Sequence, residues 1–248
     1  MPRRARAKSN SGIYHVMLRG INQQQIFEDS EDYVKFLQVL KDCKAISEFE
    51  IYAYCLMGNH VHLLIKEKKE PIEQIIKRIG ARFVYWYNVK YHRVGHLFQD
   101  RFKSEPVESN DYFLTVIRYI HQNPIKAGLC GSVREYTYSS YAEYSNVFDL
   151  IDSNFVFDLI SKEGFAEFNE TASFEQCLDI EAKPIIKVTD EQAKSIIKQY
   201  SKCTSVADFQ NLDVKSRDNY LKLFRDNGLS IRQISSLTGV SFSVVRRF

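Results

Sequence analysis

The first half of the chain alternates between two spacings of apolar residues. Residues 13–20 (IYHVMLRG) are dense in β-branched, aromatic and apolar side chains and predict a strand. Asp29 and Ser30 then offer an N-cap, and Tyr33, Phe36, Leu37 and Leu40 follow at helical spacing. Residues 49–57 (FEIYAYCLM) predict a second strand, Gly58-Asn59 a turn, and residues 60–65 (HVHLLI) a third strand in a hairpin with the second. Pro71 suits the first turn of a helix that carries Ile72, Ile75, Ile76, Ile79, Phe83 and Trp86. Residues 97–107 (LFQDRFKSEPV) alternate roughly and predict a fourth strand. Ser109 or Asn110 then caps a helix over 111–122 that stops near Pro124. The order strand, helix, strand, strand, helix, strand, helix predicts an α+β fold. It is the ferredoxin-like split βαβ arrangement, an antiparallel sheet with one extra helix that carries Tyr119. Such a fold does not by itself specify a function.

After Gly131 the pattern weakens. Tyr136, Tyr138, Tyr141 and Tyr144 cluster in a stretch expected to pack back on the first domain, and residues 146–200 read as short helices. The C-terminal pattern is clearer: a helix around DNYLKLFR, Asn227-Gly228, a helix from Ser230, a turn at Gly239 and a short basic helix, the outline of a helix-turn-helix. In that outline Ser241, Ser243, Arg246 and Arg247 face DNA. The expected organisation is therefore a catalytic domain over 1–145, an acidic helical linker over 146–204 and a helix-turn-helix unit over 205–248.

Charge sharpens this division. Residues 1–130 hold 20 Lys+Arg against 14 Asp+Glu, residues 131–204 hold 7 against 13, and residues 205–248 hold 7 against 4. Two basic units thus flank an acidic middle, which favours a polyanionic partner. No apolar run approaches the ~20 residues that span a bilayer, and the basic cluster Arg3, Arg4, Arg6, Lys8 lacks the apolar stretch of a secretory signal. No membrane partner and a cytoplasmic, nucleoid-associated location are expected, with the basic N-terminus a candidate arm for a DNA groove. Cys43, Cys55, Cys130, Cys177 and Cys203 show no CxxC spacing and are expected to be reduced thiols.

The candidate chemistry sits on two predicted elements. His60 and His62 are two apart on a strand, so alternation puts both on one face with Val61 on the other, and paired imidazoles suit a divalent metal. An HxH pair is also simply what two histidines lining a polar strand look like. Tyr119 and Asn123 are four apart on the last helix and share a face. Tyr119 could be a nucleophile while the Asn123 side-chain oxygen reaches the metal, or it could be a helix aromatic packed on the sheet. A phenol, with a pKa of about 10, needs a charge-neutralising neighbour to attack at neutral pH. Tyr112, two turns earlier, is a rival nucleophile. His121 faces elsewhere, and His15, His92 and His96 are read as structural or exposed residues able to touch DNA. Arg101 and Lys103 alternate onto one face of the fourth strand and are candidate phosphate contacts, as are Lys77, Arg78 and Arg82 on the long helix.

These residues carry a resemblance. The run 58–64 (GNHVHLL) resembles the HUH motif of the single-tyrosine, IS200-like transposases, and 118–129 (RYIHQNPIKAGL) resembles their tyrosine helix. The segments 19–27 (RGINQQQIF) and 95–103 (GHLFQDRFK) resemble parts of the REP-associated tyrosine transposases, and place Arg19 among the DNA-binding candidates. The likeness covers roughly residues 10–145 with the motifs in order. It implies that His60, His62 and Asn123 bind Mg²⁺ or Mn²⁺ and that Tyr119 attacks single-stranded, hairpin-bearing DNA. A 5′-phosphotyrosine link forms, is later resolved by a second hydroxyl, and the enzyme works as a monomer or homodimer. A DNA-binding regulator with an inactive HUH domain is the alternative, favoured by the helix-turn-helix. An RNA-binding sheet using Tyr52 and Tyr54 is a weaker one, because the aromatic RNP1 pattern is missing.

Overall fold

A computed structural model describes residues 6–99, 101–145, 150–173, 175, 177–179, 189–203, 205–245 and 247–248. The chain divides into two compact units, 1–179 and 180–248. In the first, β1 (Ile13–Arg19), α1 (Ser30–Ser47), β2 (Glu50–Met57), β3 (His60–Lys66), α2 (Ile72–Lys90), β4 (Lys103–Pro106) and α3 (Asn110–Lys126) follow in order. The four strands form one sheet in the order β2-β3-β1-β4 with every neighbouring pair antiparallel. This is the ferredoxin-like sheet predicted from the element order.

Alternation along the strands builds two cores. Val16, Leu18, Leu56, Val61 and Leu63 point to one face and pack with Phe36 of α1 and Ile79 and Phe83 of α2. Ile13, Cys55 and Leu64 point to the other and pack with Val116, Ile117 and Ile120 of α3. A bulge between Ile51 and Ala53 sends both Tyr52 and Ala53 to the α3 face, which widens that core for Phe113. Asp29 caps α1 through the amides of Glu31 and Asp32, and the Asp32 side chain returns a bond to the cap, so the helix starts where the sequence predicts.

Two boundaries differ from the sequence reading. The fourth strand covers only Lys103–Pro106, rather than 97–107. Gly20 still bridges Phe98, but from there to the Met17–Lys103 pair one chain advances three residues and the other five. The two surplus residues break the ladder, and Arg101 lies off the strand instead of alternating with Lys103. The last helix also runs past Pro124 to Lys126. Proline removes one donor, yet Ala127 N–H bonds Asn123 O at 2.9 Å and Gly128, in the left-handed region at φ 70°, closes onto Ile125 O at 2.9 Å.

Past α3, a 3-10 turn at Ser140–Tyr144, α4 (Asn154–Leu159) and α5 (Lys162–Glu170) pack on the α3-side core through Tyr141, Tyr144, Val156 and Phe165. His121 is held there, its Nδ1 on Asn169 Oδ1 and its Nε2 on Ser140 Oγ, each at 2.8 Å, away from the other histidines, as its helical position predicts. The second unit contains α6 (Asp190–Ser201), α7 (Val206–Gln210), α8 (Val214–Asp226), α9 (Ile231–Thr238) and α10 (Phe242–Val245) around Phe209, Leu221, Phe224 and Ile234. Ser230 caps α9, and Gly239 ends it at φ 71°, with a Cβ there meeting Gln210 Nε2 at 2.4 Å. Among the described residues no helix is long and apolar enough to cross a membrane.

Candidate active site

Because Val61 faces the α1–α2 core, His60 and His62 face α3, and their ring centroids are 5.1 Å apart. β3 lies between β2 and β1, so the pair rests on an interior strand. From the opposite side α3 presents Tyr119, whose ring centroid is 6.0 Å from that of His62. Asn123, one turn on, is buried, and its Nδ2 donates to Tyr119 O at 3.2 Å, which leaves Oδ1 as its acceptor oxygen. The strand pair and the helix pair predicted from spacing therefore meet within one chain.

The hydrogen bonds around the imidazoles are directional. Asn59 Oδ1 stands 2.6 Å from His60 Nδ1 and can only accept, so the proton is on Nδ1 and the Nε2 lone pair is free. His62 is fully buried; its Nδ1 is 2.9 Å from His15 Nε2, and its Nε2 is buried without any hydrogen-bond partner. Burial pushes His60 down to about 4 and His62 well below the usual histidine range, with His15 adding to the effect on His62. Both rings are thus neutral at physiological pH, the form that ligates a metal.

A divalent cation suits this donor set. An orphaned, buried imidazole nitrogen is costly unless something accepts its lone pair, and His62 Nε2 is one. Among the described residues no three His, Cys, Asp or Glu side chains converge as a metal cage. A third protein donor for such a cation would have to be of another kind, and the buried Asn123, one turn beyond Tyr119, offers a neutral side-chain oxygen.

Tyr119 is 5% exposed and its hydroxyl donates to Asp179 Oδ2 at 2.6 Å. Burial, then the bond to and charge of Asp179, raise its pKa, while a hydrogen bond from Asn123 opposes them. The Lys126 ammonium lies over the Tyr119 ring, 4.4 Å from the centroid, and burial lowers its pKa. The neighbouring Arg118 pairs with Glu175 at 2.6 Å, so both carboxylates of the 175–179 segment meet residues of the tyrosine helix.

Sequence reasoning missed three residues here. His15, expected to be structural or exposed, is fully buried and sits between Glu105 and His62. Glu105 and Asp179 carried no motif. Only the strand register, which pairs His15 with Glu105 and Met17 with His62, brings the first two in, and no local pattern encodes it. Tyr112, the rival nucleophile, is turned toward Glu105 and Cys177 rather than the histidines, and burial raises its pKa.

The proposed phosphate contacts are scattered. Arg19 is half-buried and close enough to His60 to depress its pKa. Arg101, Lys103, Lys77, Arg82 and Arg247 are exposed, as are His92 and His96. Arg78 is engaged with Glu70 and Ser47 and is a structural residue. Arg6 stacks on Phe102 at 3.7 Å, while Arg3, Arg4 and Arg246 lie outside the described residues.

Comparison with known proteins places the first unit beside one family. Residues 8–123 match the family described as Transposase IS200 like. Among solved structures, a REP-associated tyrosine transposase bound to a REP hairpin superposes with a TM-score of 0.55 at 16% identity, covering 73% of this chain and 96% of that one. At that identity the likeness speaks for the fold. A provisionally assigned transposase of Deinococcus radiodurans R1 matches with a TM-score of 0.35 at 19% identity, over 49% of this chain and 97% of that one. No curated protein matches the chain.

Proposed function

From the match of residues 8–123 to the family described as Transposase IS200 like, we propose that this chain belongs to that family, to its REP-associated tyrosine group, and cuts and rejoins single-stranded DNA through Tyr119. The observation that carries the reading is the meeting of the His60–His62 pair and Tyr119 within 6.0 Å, centroid to centroid for His62, around an unpartnered His62 Nε2. His60 Nε2, His62 Nε2 and Asn123 Oδ1 would hold Mg²⁺ or Mn²⁺. A bound cation supplies charge neutralisation at a scissile phosphate.

The Tyr119 hydroxyl gives up its proton as its oxygen attacks the phosphorus, the bond from phosphorus to the 3′ oxygen breaks, and the departing 3′ oxygen takes up a proton to become a 3′-hydroxyl. The product is a 5′-phosphotyrosine link that conserves the phosphodiester energy, so no nucleotide cofactor is consumed. A 3′-hydroxyl of another strand reverses the step and frees Tyr119. The Lys126 ammonium over the ring adds positive charge beside the phenolate that develops. Arg19, Arg101, Lys103 and Arg247, with Arg246, contact phosphates, and the α8–α9–α10 helices act as a helix-turn-helix on flanking DNA. Hairpin-bearing DNA as substrate is supported by the REP hairpin held by the structural neighbour. The protein works as a monomer or a homodimer.

The test is incubation of the full chain with labelled hairpin oligonucleotides and Mg²⁺ or Mn²⁺, read as a covalent adduct on a denaturing gel. Adduct in the unaltered protein and none in Tyr119→Phe is expected. Equal adduct in Tyr119→Phe would remove the nucleophile. The second reading, a DNA-binding regulator with an inactive domain, is favoured by the bond from Tyr119 to Asp179; it predicts hairpin binding with no adduct in either protein.

A further inference from the structure

β4, β1 and β3 lie side by side, and on their α3 face three polar groups run across the strands in a line. Glu105 Oε1 is 2.8 Å from His15 Nδ1, and His15 Nε2 is 2.9 Å from His62 Nδ1. His15 is the cross-strand partner of Glu105, and His62 lies diagonally across from it on β3. Both imidazoles are fully buried. We infer that Glu105 and His15 are positioning residues that fix the tautomer of His62 and so aim its Nε2 lone pair at the cation. The inference rests on the metal-binding reading above.

The argument follows the donors and acceptors. A carboxylate oxygen accepts, so His15 carries a proton on Nδ1. In the neutral tautomer that this geometry fits, the ring turns a lone pair on Nε2 toward His62, and the His62 Nδ1–H donates to it across 2.9 Å. His62 is left with its proton on Nδ1 and a bare Nε2, the atom that has no protein partner. The device selects which nitrogen carries the proton, with no change of charge. It is needed because a free imidazole prefers its proton on Nε2, the arrangement that blocks ligation there. His60 receives the same instruction from the adjacent Asn59 Oδ1 at 2.6 Å, so both imidazoles are set alike by different means. Glu105 is anchored in turn: Leu178 N–H donates to its Oε1 at 2.9 Å, and although burial raises its pKa, the hydrogen bonds from His15, Leu178 and Tyr112 together hold it below the usual carboxylate value. Removal of such outer partners weakens metal sites in general by about 10–100-fold.

The test uses the metal-free full chain and Mn²⁺. Ring ¹⁵N shifts, with His62 assigned through His62→Gln, report which nitrogen is protonated, and Mn²⁺ titration gives affinity. The unaltered protein is expected to hold His62 protonated on Nδ1. His15→Phe keeps the volume and removes the acceptor; it is expected to move that proton to Nε2 and weaken Mn²⁺ binding by about 10–100-fold. His15→Gln offers an amide oxygen to His62 and an amide nitrogen to Glu105, and should restore both readings. Glu105→Gln can present either end of its amide and should fall between. Circular dichroism checks that the variants fold; if His15→Phe does not, the unaltered protein and His15→Gln still decide. His62 protonated on Nε2 in the unaltered protein, or unchanged Mn²⁺ affinity in a folded His15→Phe, would overturn the relay. Proper His62 tautomer with no Mn²⁺ uptake would support the relay while sinking the metal reading, so the two failures are distinct.

Discussion

The Tyr119 hydroxyl and the Asp179 carboxylate are 2.6 Å apart, with the phenol donating. A carboxylate in that place stabilises the protonated phenol and opposes the phenolate that attack requires, and it adds to the effect of burial. Asp179→Asn removes the charge and keeps the size. The expected outcome is a pH profile of adduct formation displaced to lower pH, with a severalfold faster reaction near pH 7, since one pKa unit is worth about 1.4 kcal/mol. A slower reaction at every pH would instead make Asp179 the proton acceptor for Tyr119.

Acid should weaken the first unit through its buried histidines. Burial pushes His60 and His121 down to about 4. An unfolded histidine, with a pKa of about 6.5, takes up protons that the folded form refuses, so stability is complete above about 6.5 and is lost as pH falls toward 4. Between pH 7 and 5 the loss should be on the order of 1–3 kcal/mol, or several degrees in Tm. His121→Gln should lower Tm at pH 7 and flatten the slope below it; calorimetry showing an unchanged slope would clear His121 of the effect.

Gly20 admits no side chain. A Cβ there would lie 2.2 Å from Gln24 O and 2.9 Å from Ile26 Cγ2, while Gly20 N–H bonds Asn59 O at 2.9 Å, next to His60. Gly20→Ala must push the 21–26 loop off the β2–β3 turn. It should cost about 1–3 kcal/mol in urea unfolding and weaken Mn²⁺ binding through His60. Retention of both values would mean that the loop yields freely.

Lys103 is exposed at the start of β4 and Arg101 is exposed just before it. If they meet DNA phosphates, Lys103→Ala and Arg101→Ala should each weaken hairpin binding severalfold, alike for all sequences, and reduce the slope of log K against log salt by about 1. Fluorescence anisotropy at several salt concentrations reads this, and an unchanged slope would remove them from the interface.

The sequence made the elements and the central constellation legible because both rest on short-range rules. Alternation puts His60 and His62 on one face, the helical repeat does the same for Tyr119 and Asn123, and the turn at Gly58-Asn59 sets the hairpin. What stayed hidden depends on register between distant strands. Glu105 finds His15 only because β4 pairs with β1 at that offset, and the two surplus residues before Lys103 that displace Arg101 leave no local mark. Asp179 comes from a segment without regular structure, placed by tertiary bonds such as Leu178 N–H to Glu105.

β3 is hydrogen-bonded along both edges, to β1 and to β2, whereas α3 is joined to the sheet by side chains alone. Amide protons on β3 should therefore exchange with deuterium only when the whole unit opens, while the tyrosine helix can shift on its greasy bearing without breaking a single ladder bond. The imidazoles are the anvil of this molecule, and if the phenol strikes a DNA strand as proposed, the stroke belongs to the helix.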